Sequence, residues 1–186
     1  MGLQVYRRWL SLSLLSIFLF SWAMAQKGGE DAVKEFQGGI DSYLSAKKKK
    51  DVAKKPTDSP DKLVQQKQQT AEKTQEARPA AQRGDIFTPA VTAYFKKQIE
   101  STLRGPGGDK IRASLRHAEP LPNVQLRVNA KYPKNLPLQS TPPTLLMNLP
   151  PLPKELQYRI VGSALVLYDM SSGLVVDFIP GAVPAA

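Results

Sequence analysis

Few residues of this 186-residue chain could take part in catalysis or hold a metal. It contains one histidine, His117, and no cysteine. Thiolate metal sites, iron–sulfur clusters and cysteine nucleophiles are therefore excluded, and only Glu119 is near His117 in the sequence as a second ligand. Because His117 follows Arg112 and Arg116 near the end of a predicted short helix, it can interact with the last helical carbonyl groups. We predict no metal site and no bound cofactor.

Two carboxylates near the C-terminus, Asp169 and Asp177, could come together for acid–base chemistry. Asp169 stands in a predicted turn, where aspartate is favoured, and Asp177 alternates to the solvent side of a predicted strand. The run Ser171-Ser172-Gly173 lacks the strand–serine–helix context of a nucleophile elbow. The run Gly105-Pro106-Gly107-Gly108 lacks the Lys-Ser/Thr that follows a phosphate-binding loop. We therefore predict turn and surface roles, no catalytic residue and no enzymatic activity.

Positive charge is in excess, with 26 Lys+Arg against 16 Asp+Glu. It is concentrated in Lys47–Lys50 and in Lys54-Lys55. This run is interpreted either as a solvated helix end or as a contact for polyanions such as phospholipid headgroups, lipopolysaccharide phosphates or teichoic-type polymers. Nucleic-acid binding is not expected, because Asp51 interrupts the run and no aromatic residue is interleaved with it.

The first 25 residues have the pattern of a secretory signal peptide. Arg7-Arg8 precedes an apolar run from Leu10 to Trp22, and Ala23-Met24-Ala25 matches the A-x-A cleavage motif. The run of about 13 residues is shorter than the ~20 that span a membrane. We expect cleavage after Ala25, a mature protein of net charge +8 that is periplasmic or secreted, and no transmembrane segment after cleavage.

The predicted fold class is α+β, with charged N-terminal helices followed by a small C-terminal domain. Residues 26–84 contain 13 Lys+Arg and 9 Asp+Glu, and no aromatic residue lies between Leu44 and Ile86. We therefore expect a charged helical region that is partly mobile, and a compact domain in residues 85–186. The region should hold one helix over residues 33–44, weakened or broken at Gly38-Gly39, and another from Asp61 to about Ala77.

In the compact domain, Thr88-Pro89 and Gly105 predict an amphipathic helix over residues 89–104. Asp109 should begin a second, short helix. The alternation of Val124, Leu126 and Val128 predicts a half-buried strand. Nine of the 16 prolines lie in residues 120–153, which should wrap around the core as extended chain.

Residues 156–180 predict a short antiparallel β-meander with strands at 157–161, 164–168 and 174–179. Gly162-Ser163 suits the two-residue turn between the first two strands. The 89–104 helix should cover the sheet. The expected core residues are Phe95, Ile99, Leu103, Val161, Leu165, Leu167, Val175 and Val176.

The C-terminal string from Leu149 to Gly162, followed by Leu165-Val-Leu-Tyr-Asp and Gly173-Leu-Val-Val-Asp, resembles the ending of small exported bacterial proteins. It is similar to the terminal meander of RcnB-type periplasmic nickel/cobalt-homeostasis proteins. Residues 36–44 and the string Gly84-Asp-Ile-Phe-Thr-Pro resemble an uncharacterised exported family. The resemblance implies a periplasmic or secreted protein of unknown activity.

Together these features predict a non-enzymatic periplasmic or envelope-associated binding module. Its partner would be an anionic envelope component or another envelope protein. The alternative, implied by the resemblance of the tail, is an accessory protein in periplasmic metal homeostasis.

Overall fold

The computed structural model describes residues 6–50, 58–116, 125–133 and 139–184, and side chains from Lys27 onward. His117, Glu119 and Val124 lie outside the described residues. The helices are α1 (Tyr6–Lys50), α2 (Pro60–Ala77), α3 (Pro89–Arg104), α4 (Gly108–Arg116) and α5 (Pro143–Leu146). The strands are β1 (Gln139–Ser140), β2 (Leu156–Val161), β3 (Ala164–Asp169) and β4 (Leu174–Ile179).

The four strands form one antiparallel sheet in the order β1-β2-β3-β4. This confirms the α+β class and the C-terminal meander, whose strands begin and end within one residue of the predicted positions. Val161 pairs with Ala164 across the predicted turn, and Gly162 has the positive φ, 57°, that such a turn favours. None of the helices in the described ranges is both long enough and apolar enough to cross a membrane.

Proline fixes where three of the helices begin. Pro60, Pro89 and Pro143 each stand in a first turn, where the missing N–H costs no hydrogen bond. At α3 the Thr88 hydroxyl accepts from the N–H of Val91 at 3.3 Å. The predicted bounds of α2 and α3 are thus confirmed to within a residue.

Helix α1 continues through Gly38-Gly39, so of the two predicted alternatives, a weakened or a broken helix, the broken one is wrong. A Cβ atom at Gly39 would lie 3.4 Å from the Cα of Ile86, which shows how closely the loop before α3 approaches the helix. On the same helix Phe36, Ile40 and Tyr43 are buried. Tertiary packing of this apolar stripe outweighs the low helix propensity of the two glycines.

The main hydrophobic core lies between the helices and one face of the sheet. The Phe36 ring of α1 lies 5.6 Å from Phe87, 4.9 Å from Phe95 and 6.4 Å from Tyr158, measured between ring centroids. The predicted cover by α3 is confirmed, because Phe95, Ile99 and Leu103 share this core with Leu165 and Leu167. The core extends across residue 84, since α1 contributes Phe36, Ile40 and Tyr43 to it.

A second, smaller cluster covers the opposite face of the sheet. It contains Val161, Val166, Tyr168 and Val175, and Tyr132 packs on it. The predicted core residues therefore divide between the two faces, because alternate positions of a strand face opposite sides.

Residues 125–128 do not form the predicted strand. The chain meets the edge of β4 only at residues 129–132, where the N–H of Asn129 donates to the carbonyl of Val175 at 2.8 Å. Asn129 has φ 61°, in the left-handed region that interrupts a strand. Leu126 packs against the smaller cluster without joining the sheet.

The proline-rich stretch is less uniformly extended than expected. Within residues 139–153 it forms the two-residue strand β1 and the short helix α5, which buries Leu145. Pro143 can begin a helix because a first-turn residue needs no donor. Thr141 continues the edge of β1 through its hydroxyl, which donates to the carbonyl of Tyr158 at 3.0 Å.

Candidate functional site

Asp177 faces the helix side of the sheet, not the solvent side that alternation along the strand predicts. Leu167 pairs with Asp177 whereas Tyr168 pairs with Val175, so Val176 is one extra residue on β4. Such a bulge reverses the alternation of side chains beyond it. Asp177 therefore lies on the same face as Leu167 and is fully buried, and the predicted surface position is wrong.

The Asp177 carboxylate holds the loop that leads into α3. Its Oδ2 atom accepts hydrogen bonds from the backbone N–H groups of Ile86 at 2.9 Å and Phe87 at 2.8 Å. Its Oδ1 atom accepts from the N–H of Gly84 at 3.1 Å and of Phe178 at 2.8 Å. A buried carboxylate surrounded by four N–H donors acts as a structural anchor.

Asp169 is also fully buried, and side chains of α1 converge on it. Its Oδ2 atom accepts from the Tyr43 hydroxyl at 2.6 Å and from the Lys47 ammonium at 2.7 Å. Its Oδ1 atom accepts from the N–H and the hydroxyl of Ser171, both at 2.8 Å, and from the N–H of Ser172 at 3.3 Å. The turn role predicted for Asp169 is confirmed, and the carboxylate that serves it is buried.

The charge states of this Asp169 cluster follow from its contacts. Burial alone raises the pKa of Asp169, but the hydrogen bonds from Lys47 and Tyr43 and the charge of Lys47 outweigh burial and hold that pKa below 3.8. Burial and the Asp169 charge raise the pKa of Tyr43 well above its usual range. Near neutral pH Asp169 is therefore a carboxylate and Tyr43 a neutral phenol.

One contact in the cluster is also found in serine–lysine hydrolases: Lys47 Nζ lies 2.6 Å from the Ser171 hydroxyl oxygen. In such a dyad the lysine takes the serine proton, so its nitrogen needs a free lone pair. Here Lys47 forms an ion pair with Asp169, and the Ser171 hydroxyl donates its proton to the same carboxylate. The geometry fits a structural link between α1 and the β3–β4 turn.

Lys47 is the member of the cluster that sequence reasoning missed. The sequence places it in the basic run, interpreted as a solvated helix end or a polyanion contact, yet the residue is only 7% exposed, while Lys48 and Lys49 are exposed. A signal was present, because Lys47 follows Tyr43 by four residues on the helix face that carries Phe36 and Ile40.

An open groove of about 490 Å³ lies at the outer edge of β2, beside α5 and the prolines that follow it. The side chains that shape it are largely apolar: Leu146, Pro150, Pro151, Leu152 and Tyr158, with Arg159 on one wall. The Arg159 guanidinium donates to the Ser140 hydroxyl at 3.1 Å, which fixes a positive charge beside apolar surface. A cleft of this size and lining is typical of ligand sites. The sequence did not reveal it, because its walls come from separate segments.

The described ranges bring together no group of three or more His, Asp or Glu side chains that could hold a metal ion. His117, for which the sequence predicts a helix-end role and no metal, and Glu119 lie outside them. Comparisons of the chain with protein-family models, with curated proteins and with solved structures find no match. The fold and these two kinds of site, the buried carboxylate anchors and the open groove, are thus the basis for proposing a function.

Proposed function

We propose that this chain is an exported bacterial protein that acts in the periplasm or at the envelope as a non-enzymatic binding module. The observation that carries the proposal is the contrast between its two kinds of polar site. The carboxylates of Asp169 and Asp177 are buried and fully engaged in joining the N-terminal half to the sheet. The groove at β2, in contrast, is open and has the size of a ligand site.

Export is supported by where the packing of α1 begins. Among side chains described from Lys27 onward, the first buried one is Ala32, while Lys27, Glu30 and Asp31 are exposed. Cleavage after Ala25 would therefore leave every described core contact of α1 intact. The basic, apolar and A-x-A pattern of residues 1–25 provides the signal for that cleavage.

The groove suits an extended apolar segment of another envelope protein. β1 pairs with β2 only at Arg159 and Ile160, and the groove runs along the rest of β2, where such a segment could lie against the apolar walls. Leu146 and Met147, beside the groove, are 40% and 86% exposed and offer apolar contact area. Arg159 would then donate to a carbonyl or carboxylate of the bound segment.

The export step is tested by producing the full chain in a Gram-negative bacterium and measuring its intact mass in the periplasmic and membrane fractions. We expect the mass of a chain that begins at Gln26. A protein that begins at Met1 and stays in the cytoplasmic fraction would refute export.

The groove is tested in the same cells with a photo-crosslinking amino acid at Met147. The matched control carries it at Gln68, an exposed position of α2 away from the groove. We expect a discrete crosslinked product at position 147 alone, lost when Leu146 is replaced by Asp. Equal crosslinking at both positions would show that the groove has no selective partner.

The alternative, an accessory role in metal homeostasis, rests on the resemblance of the tail. It predicts tight nickel or cobalt binding that His117→Ala weakens. The binding-module proposal predicts no submicromolar binding in a calorimetric titration of the processed protein with either metal.

A further inference from the structure

Helix α2 extends past the end of α1. The Arg78 guanidinium at the end of α2 lies 5.1 Å from the centre of the Tyr43 ring, and Lys47 and Lys67 both contact residues 168–171 at the end of β3 and in the turn after it. The two helices therefore run antiparallel, with the end of α1 beside the middle of α2. None of residues 60–69 of α2 is buried.

This end of the molecule combines exposed apolar side chains with lysines. Of the five large apolar side chains that the described residues leave exposed, three are here: Leu63 at 51%, Val64 at 57% and Met170 at 38%. The last turn of α1 and the first half of α2 also carry four exposed lysines: Lys48, Lys49, Lys62 and Lys67. We call these seven residues the basic–apolar end.

The position of Leu63 along α2 explains why its side chain is exposed. Leu63 lies on the same helix face as Lys67, Thr70 and Thr74, and it precedes Lys67 by one turn. Thr70 and Thr74 are buried against the rest of the molecule. Leu63 precedes Thr70, the first buried residue of α2, and is exposed. Met170 is in the turn after β3, beside Ser171, which Lys47 contacts.

We propose that the basic–apolar end docks on the surface of a bilayer that contains anionic phospholipid. Exposed apolar side chains and lysines on the same segments suit the boundary between headgroups and acyl chains, because the apolar groups enter it while the ammonium groups contact phosphate. Within the described residues 47–49 and 58–69, these four exposed lysines outnumber the two aspartates, Asp58 and Asp61. The inference rests on the proposed export, which would bring the protein to an envelope membrane.

The chemistry of this end differs from that of the groove at β2. The groove has apolar walls and one guanidinium held by Ser140, which suits a peptide, whereas the basic–apolar end carries several exposed lysines. Lysines without aromatic side chains among them offer no platform for stacked bases, so a lipid surface fits this end better than a nucleic acid.

The test is co-sedimentation of the processed protein with vesicles of phosphatidylcholine alone and of equal parts phosphatidylcholine and phosphatidylglycerol, at low and high salt. Two variants probe the surface: Lys48→Gln with Lys49→Gln, and Leu63→Ser with Val64→Ser. The matched control, Lys96→Gln with Lys97→Gln, removes the same charge from an exposed position of α3. Circular dichroism checks that all three variants fold, and every variant is compared with wild type in the same processed form.

We expect wild type to bind only the vesicles with phosphatidylglycerol, and more weakly at high salt. The Lys48/Lys49 variant should bind about 25-fold more weakly, since each cation near an anionic surface contributes about fivefold. The Leu63/Val64 variant should also lose affinity, whereas the Lys96/Lys97 control should change by less than about threefold. An equal loss in the control, or no binding by wild type, would overturn the inference. Normal export together with groove crosslinking in that case would leave the proposed function standing.

Discussion

The backbone N–H of Phe87 donates a hydrogen bond of 2.8 Å to the Asp177 carboxylate, across 90 residues of sequence. This bond and its neighbours from Gly84 and Ile86 fix the loop that begins α3 against the last strand of the sheet. Asp169 does the same for α1, through Tyr43 and Lys47. The meander thus holds the N-terminal half of the chain at two buried carboxylates.

Replacing Asp177 with Ala should destabilise the protein by about 3–5 kcal/mol. The change leaves buried N–H groups, including those of Ile86 and Phe87, without an acceptor, and each costs about 1–3 kcal/mol. Urea unfolding measures the loss. Asp41→Ala is the control, because Asp41 is exposed on α1 and its change should stay within about 0.5 kcal/mol. A loss from Asp177→Ala no larger than that of the control would contradict the anchor.

Replacing Lys47 with Met should cost about 3–5 kcal/mol, because Asp169 remains buried without its cation. Lys48→Met, one residue further along the helix and exposed, should be nearly neutral. Combining Lys47→Met with Asp169→Asn should recover part of the loss, since no uncompensated charge is then buried. Equal free energies of unfolding for the two single lysine variants would rule out the ion pair.

The free energy of unfolding should decrease as the pH is lowered in the acid range. The pKa of Asp169 is lower in the folded protein than its ordinary value, so its contribution is present above about pH 4 and is lost as pH falls through the folded pKa. Urea unfolding at a series of pH values should show a shallower acid slope for Asp169→Asn than for wild type. Identical slopes would mean that Asp169 has the same pKa folded and unfolded.

Phe36→Ala should destabilise the protein by about 3–5 kcal/mol, as other buried phenylalanines do. Phe36 is fully buried and contacts aromatic rings of α3 and β2. Leu63→Ala provides the comparison, because Leu63 is mostly exposed and should change the free energy of unfolding by about 0.5 kcal/mol or less. Similar small effects from both would place α1 outside the core.

Hydrogen exchange should differ between the two halves of α2. Residues 60–69 have no buried side chain, whereas Thr70, Ala71 and Thr74 are buried, so exchange should be fast in the first half and slower in the second. The sequence further predicts that the stretch from about residue 46 to 84, with no aromatic residue, is more mobile than the rest of the chain. Protection across residues 60–69 equal to that of Leu165–Leu167 would contradict both statements.

The amino-acid sequence alone determined the local structure. Proline and a capping threonine set where α3 begins, apolar residues three and four apart set its buried face, and β-branched runs separated by Gly162 set the meander. These signals act within a few residues of one another, so the pattern predicts the elements without knowledge of what they contact. The apolar stripe of α1 was visible in the same way.

Tertiary structure alone decided the positions of the polar residues. The extra residue Val176 turned Asp177 from the solvent side to the core, and no alternation rule places a bulge in advance. Packing also keeps α1 helical through Gly38-Gly39. It places the side chain of Lys47, the first residue of the basic run, against Asp169. The free energies that decide these outcomes come from contacts between residues about 50 to 130 positions apart, and such contacts exist only once the chain has folded.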